Sequence, residues 1–405
     1  MGRSSTSKPS SEPPTADGEL VVQPNGEVRQ AGASQGDTAF IAAVRARCER
    51  SLYAFAKAIL KYHFLTSSLH KPVADWLCTL PPYRKLLLMP RGHGKTQLVP
   101  RSVPLHMWVQ PKDGNLYLPG TPGSHARILL AGETEAMAKG NLRVVRAHLE
   151  SNDLLRALWP HIAWPVPRRD AKVWNDTEVI VPRDTEFAEA SAQAVGVGAA
   201  ITGKHPNCLL PDDITTEAAA NSDVLMQTAI EWNLNIRALL SSPQDPIIQT
   251  ATYWATYDLP HVLERDATYA VNHRFRAIVT PDGTPIWPEH VTKEDVAQLA
   301  AEFGPRFFLL YMNSVHDSAL VDFDKADLRF FTMEADSIVF KADPRDTLFP
   351  AELTDVDRAI EGATLPELDL TPTPLPHRKG RAFALWNLRH ARRRAGRDSS
   401  ALRVS

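Results

Sequence analysis

The chain has 405 residues, with 45 Lys and Arg against 47 Asp and Glu and a formal net charge of -2. The near-neutral balance excludes a small basic DNA-coating protein, so any nucleic-acid contact has to come from local patches, while the length and a hydrophobic fraction of 43% fit one large globular domain plus a smaller attachment. No stretch approaches the roughly 20 apolar residues of a membrane span, the N-terminus lacks the apolar core of a secretory signal, and Cys48, Cys78 and Cys208 lack the spacing of a disulfide framework or zinc site; the expectation is a cytoplasmic protein with no membrane partner.

Residues 1–37 are rich in Ser, Pro, Gly and charge, which predicts a disordered arm that cannot bury enough surface to offset its ordering entropy. From Phe40 the pattern changes: Phe40, Val44, Leu52, Phe55, Ile59 and Leu60 recur at roughly helical spacing and predict an amphipathic helix. Short apolar runs at 85–89, 127–131, 178–181, 208–210 and 247–254 then read as buried strands. Between them, 94–105, 134–149 and 222–240 are long enough to be crossover helices joining parallel strands. This alternation predicts an α/β domain over residues 38–331, with a mainly parallel central sheet flanked by helices. The remaining stretch, 332–405, is Pro-rich from Thr364 and Arg-rich through Arg389, Arg392, Arg393, Arg394 and Arg397, which is too little for a packed second domain. Its acids, Asp343, Asp346, Glu352, Asp355 and Asp357, read as a solvated loop.

The strongest local signal is the apolar run 85–89 followed by Pro90, Arg91, Gly92, His93, Gly94, Lys95 and Thr96. It reads as the phosphate-binding loop of a P-loop NTPase. Gly92 and Gly94 let backbone N–H groups converge on phosphates without Cβ obstruction, and the N-terminus of the following helix favours negative charge. Lys95 is then placed on the β- and γ-phosphates of ATP and Thr96 on Mg²⁺, with Arg91 and His93 in the loop and Arg91 within reach of phosphate oxygens. Met89 stands where the usual pattern has its first glycine. The plainer alternative is a Gly-Lys-Thr triplet in an ordinary turn.

A P-loop ATPase also needs carboxylates at the end of a neighbouring buried strand. The run from Cys208 through Asp212, Asp213 and Ile214 supplies two: Asp212 for the metal side and Asp213 for polarising the attacking water, a task more often given to the longer Glu. The competing reading is a solvent-exposed Asp-Asp turn closing a strand, and Pro211 is a poor residue for a central ladder. His70, shortly before the loop, reads either as a neighbour of the adenine or as a structural histidine.

Taken together, these segments resemble the large subunits of tailed-phage terminases. The resemblance rests on the loop from Arg91 to Thr96 with Arg inside and its first glycine replaced, the strand and helix from Arg127 through Ala138 to Pro160, and the Gly-rich stretch from Gly196 to His205. It continues through Thr250, Ala251, Thr252, Tyr253 and Trp254 with Asp258, then Trp287, Pro288 and Glu289, and finally the run from Phe307 to Asn313, where Leu310 departs from the commoner Gln. It covers about Phe40 to Phe330. The resemblance implies Mg²⁺-dependent ATP hydrolysis, Thr252 as the residue coupling hydrolysis to movement, and Arg91 acting on transition-state charge, although a surface Arg paired with an acid is the structural alternative for Arg91. It also implies double-stranded DNA as the moved substrate, a phage portal protein and a terminase small subunit as partners, and a homo-oligomeric ring. Such proteins normally carry a C-terminal nuclease domain, which the stretch after Phe331 is expected not to provide, through truncation, frameshift or a separate gene. The alternative to a working motor is a prophage remnant that binds nucleotide or portal partners without productive turnover. A helicase or kinase reading is disfavoured because neither a second helicase domain nor a lid segment is evident.

Overall fold

A computed structural model of the chain describes residues 40–79, 83–201 and 203–315 throughout, together with the backbone of 20–22, 28–30, 38–39, 331–334 and 337–340. Two compact units divide between Asp322 and Phe323. The first is built on a seven-stranded sheet made of β1 (Arg84–Leu88), β2 (Ile128–Gly132), β3 (Glu178–Val179), β4 (Ala192–Gly196), β5 (Cys208–Asp212), β6 (Ile247–Ala251) and β7 (Ala270–Val271). Their spatial order is β3-β4-β2-β5-β6-β1-β7, and every pairing is parallel except that of β3 with β4. The fold is therefore α/β with a mainly parallel central sheet, helices lying on both faces.

Side-chain alternation along the strands divides the core. Leu87, Ile128, Leu130, Cys208, Leu210 and Ile248 pack on one face with Leu98, Val103, Leu142 and Val145. Leu86, Leu88, Leu129, Ala131, Leu209, Ile247 and Ala251 pack on the other with Met226, Ala229, Ile230 and Ile236. Burial on both sides is why these strands read as unbroken apolar runs rather than alternating ones. Packed at interior density, each large side chain here contributes about 1.5–3 kcal/mol relative to exposure.

Three departures from the sequence reading have local causes. The predicted continuous helix from Phe40 to Leu60 breaks at Ser51: one helix, Thr38–Arg50, ends there, and the extended Ser51 (φ −141°) accepts a hydrogen bond from the Ala54 N–H at 3.2 Å to start the next. Strand β4 was not anticipated, because Ala192, Gln193, Ala194, Val195 and Gly196 lack the bulk that marks a buried strand. At Gly196 proximity requires the small residue, since a Cβ there would lie 2.5 Å from the Glu135 amide nitrogen. Within the arm expected to be disordered, Leu20–Val22 and Val28–Gln30 form an antiparallel pair, the β-branched valines supplying the propensity; the rest of that arm lies outside the described residues.

Pro211 sits inside β5, and the ladder accommodates it. The Leu209 N–H donates to Pro246 O at 3.0 Å and the Asp213 N–H to Thr250 O at 3.1 Å, so Pro211 withholds only the β5 donor that would lie between them. The register of β5 with β6 is accordingly held at its two ends, Leu209 to Ile247 and Asp212 to Thr250. In the second unit, Phe331–Glu334 and Ser337–Phe340 form an antiparallel hairpin. The Pro-rich and Arg-rich stretch and the acids from Asp343 to Asp357 lie outside the described residues, as does the question of a nuclease domain.

Candidate functional site

Strand order brings the proposed site together. Because β6 lies between β1 and β5, three strand ends converge: Leu88 of β1 pairs with Ala251, and Thr250 of β6 pairs with Asp212. The loop after β1, the Asp212–Asp213 pair and the segment from Thr252 thus share the carboxyl edge of a parallel sheet, where α/β folds place their ligands.

The loop itself is shaped by its two glycines. Gly92 and Gly94 have φ of 79° and 78°, a left-handed conformation that side chains resist. At Gly94 space is also lacking, since a Cβ would lie 3.1 Å from His70 Nε2 and 3.2 Å from Phe64 Cε2. The chain becomes helical at Lys95. Gln97–Ser102 winds more widely than an α-helix around Pro100, and the Ser102 hydroxyl donates to Gln97 O at 2.6 Å. Thr96 lies at the first turn of this helix, half-buried.

Lys95 is buried, and both its contacts come from the neighbouring strand ends. Its ammonium donates to the Thr252 hydroxyl and lies 3.3 Å from Asp213 Oδ1. Asp213 reaches it from a left-handed backbone (φ 42°), unusual outside glycine, which turns the carboxylate back across the strand end. Its Oδ1 is buried and makes no hydrogen bond among the described residues, despite the ion pair. Asp212 is more enclosed. Its Oδ1 accepts from the Thr250 hydroxyl and its Oδ2 from Asn141 Nδ2 at 3.2 Å, while Arg101 Nε donates to Asn141 Oδ1 at 3.0 Å. Burial raises the Asp212 carboxyl to about 6, the charge of Asp213 adding to the rise while the Thr250 hydroxyl and Lys95 oppose it.

Arg91 is exposed, its guanidinium 5.1 Å from the Trp254 ring centroid, and its backbone N–H donates to Leu310 O at 3.1 Å. The segment from Thr252 therefore touches the loop twice, through Thr252 on Lys95 and Trp254 under Arg91. His93 is buried, its Nδ1 3.0 Å from Arg91 O, and its ring lies 5.6 Å from Trp287. Trp287 in turn lies 4.8 Å from His70. Burial pushes both imidazoles down, His70 to about 4. His70 Nδ1 accepts from the Thr66 N–H at 3.0 Å, which leaves the proton on Nε2. His70 Nε2, His93 Nε2 and Trp287 Nε1 are buried without a hydrogen-bond partner among the described residues. One flank of the loop thus carries three unsatisfied polar ring atoms.

Sequence reading picked out Arg91, Gly92, His93, Gly94, Lys95, Thr96, Asp212, Asp213 and Thr252, and the structure gathers all nine at one sheet edge. It missed Asn141, whose signal was available: a polar residue among Ala138, Leu142 and Val145 on the buried stripe of the helix Glu135–Ser151. Among the described residues no group of three His, Cys, Asp or Glu side chains could hold a metal unaided, and no helix is long and apolar enough to cross a membrane.

No known family model and no curated protein sequence matches the chain. Solved structures similar to it include the HK97 bacteriophage large terminase, at 14% identity and a TM-score of 0.38, covering 58% of this chain and 47% of that one. They also include the large terminase from a thermophilic bacteriophage, at 12% identity and a TM-score of 0.35, covering 61% and 52% respectively. The chain spans about half the length of each of these two structures. Both likenesses are too distant to bear on function, which has to be read from the site.

Proposed function

We propose that the chain is an Mg²⁺-dependent ATPase and the motor subunit of a phage or prophage terminase that moves double-stranded DNA into a procapsid. The observation that carries the ATPase reading is the convergence on Lys95, where a glycine-shaped loop before a helix presents an ammonium to a carboxylate and a hydroxyl from two other strand ends. A triphosphate fits this donor set. Backbone N–H groups of 92–96 and the Lys95 ammonium would hold the β- and γ-phosphates, and the unsatisfied rings of His70, His93 and Trp287 leave polar atoms for a ligand on the adjoining flank. Thr96 and Asp212 would hold Mg²⁺. The ion, when bound, neutralises charge on the β- and γ-oxygens.

In hydrolysis, water attacks the γ-phosphorus, the bond to the β-bridging oxygen breaks, and ADP leaves with that electron pair. Asp213, released from Lys95 when phosphate takes its place, would orient the water and accept its proton. Arg91, at the loop edge, is placed to offset transition-state charge once it leaves Trp254. Thr252 exchanges Lys95 for the γ-phosphate and so reports its presence. The partners, namely double-stranded DNA, a portal protein, a terminase small subunit and further copies in a ring, rest on the resemblance of the sequence motifs, and the bacterial cytoplasm is the matching location.

Steady-state ATP hydrolysis with Mg²⁺, measured with and without double-stranded DNA, tests the reading. Turnover should fall by at least about 100-fold in Lys95→Ala and in Asp213→Asn. DNA stimulation would support the motor. Nucleotide binding without turnover would instead favour a remnant, for which the short, strained Asp213 is the specific structural argument.

A further inference from the structure

Asn313 is fully buried and adopts φ of 44°, a left-handed conformation that asparagine tolerates better than most residues. Its side chain makes two hydrogen bonds. Oδ1 accepts from the Tyr253 N–H at 3.0 Å, and Nδ2 donates to Arg276 O at 2.6 Å. The Asn313 carbonyl accepts from Arg276 Nη2 at 2.8 Å, and the same nitrogen donates to the Tyr253 hydroxyl at 2.8 Å. Tyr253 also donates to Glu264, whose other oxygen lies 2.9 Å from Arg276 Nη1. Tyr253 directly follows Thr252, the residue on Lys95.

Three residues earlier, Leu310 O accepts the Arg91 N–H at the start of the phosphate loop, and Tyr311 O accepts the Ile278 N–H at 2.8 Å. One short segment therefore grips the phosphate loop at Arg91 and the Thr252 segment at Tyr253. The other end of the Thr252 segment is fixed separately: buried Asp258 accepts from the Trp254 N–H at 2.8 Å and from the Ala255 N–H at 3.4 Å. Asn313 ties the backbone of this segment to the clasp through its side chain, and Arg276 adds a bridge from the Tyr253 hydroxyl to the Asn313 carbonyl. A hydrogen-bonding side chain held by a left-handed backbone is a costly arrangement for a residue whose sole task is filling space.

Building on the ATPase reading, we infer that Asn313 is a positioning residue, setting the distance between the phosphate loop and Thr252 so that Lys95 and Thr252 meet the γ-phosphate together. It is not among the contacts of Lys95 and acts through the Tyr253 amide. Misplacement of a reacting group by about 1 Å can cost on the order of 100-fold in rate, and it leaves binding of the remaining phosphates largely intact.

The test is Asn313→Gly, which retains the left-handed backbone without the side chain, alongside Asn313→Asp, which keeps the acceptor for the Tyr253 N–H. In ATPase assays kcat should fall by about 10- to 100-fold in Asn313→Gly with KM for ATP changed less than about 3-fold, and Asn313→Asp should recover part of the loss. Hydrogen exchange supplies a second readout. In the unaltered chain, adding Mg²⁺ and ATPγS should change exchange in peptides covering both 250–256 and 308–314, and in Asn313→Gly the second response should shrink to what the Leu310 contact with Arg91 carries. Unchanged kcat in Asn313→Gly, or kcat and melting temperature falling together with a rise in KM in both variants, overturns the positioning role. An unaltered chain that binds no ATPγS overturns the ATPase reading and this inference with it, whereas normal turnover in the glycine variant overturns this inference alone.

Discussion

At the scale of single residues, buried polar groups are the informative ones. His106 is an example away from the site: its Nε2 donates to Cys48 O at 2.8 Å, its Nδ1 lies 2.7 Å from the Tyr117 hydroxyl, and burial pushes its pKa from 6.5 down to about 4. The folded chain therefore prefers the neutral ring. Stability from this group is fully present above pH 6.5 and is lost as pH falls toward 4, at about 1.4 kcal/mol per unit. Denaturant titrations across that range should show a shallower acid slope in His106→Gln than in the unaltered chain; an identical slope would mean the ring is not held neutral. The chemistry-bearing residues of the candidate site were legible in the sequence because residue type and spacing carry the signal: glycines before Lys95, paired acids after an apolar run. Asn141 and Asn313 were not read as site residues. They act from elements distant in sequence, through contacts that only strand order and a left-handed turn create.

At the scale of elements, the long apolar runs were readable and the small-residue strand was not. β4 is built from Ala, Gln, Val and Gly, and its identity comes from what stands next to it rather than from its own propensity. Two glycines separate these causes. Gly196→Ala, forcing a Cβ to 2.5 Å from the Glu135 nitrogen, should destabilise by about 1–3 kcal/mol as strand and helix move apart. Gly140→Ala, within the helix Glu135–Ser151 and with only the end of the Arg143 side chain within 4 Å, should stabilise by about 1 kcal/mol through helix propensity. Chemical denaturation midpoints moving in opposite directions would support both. Equal shifts would show that the close approach at β4 relaxes without cost. The break at Ser51 shows the same limit of periodicity: apolar spacing ran through it, while a hydroxyl able to cap the next turn ended the helix.

At the scale of the whole molecule, the parallel sheet gathers strand ends from residues more than a hundred positions apart, and the tie between Lys95 and Thr252 is its product. On the proposed ATPase reading, that tie makes nucleotide entry an exchange of partners. The ammonium that would meet phosphate already has partners, so a phosphate arriving there competes with the Thr252 hydroxyl and the Asp213 carboxylate, and the cost of that competition is subtracted from affinity. By thermodynamic reciprocity, a load that shifts the Thr252 segment would change nucleotide affinity by the same factor by which nucleotide shifts that segment. Thr252→Val removes the tie in the free chain and the γ-phosphate contact in the bound one, so ATPγS affinity should change little while ATP hydrolysis slows, and a large loss of affinity would count against the exchange. Force on one loop and concentration of nucleotide would then be interchangeable inputs to a single switch.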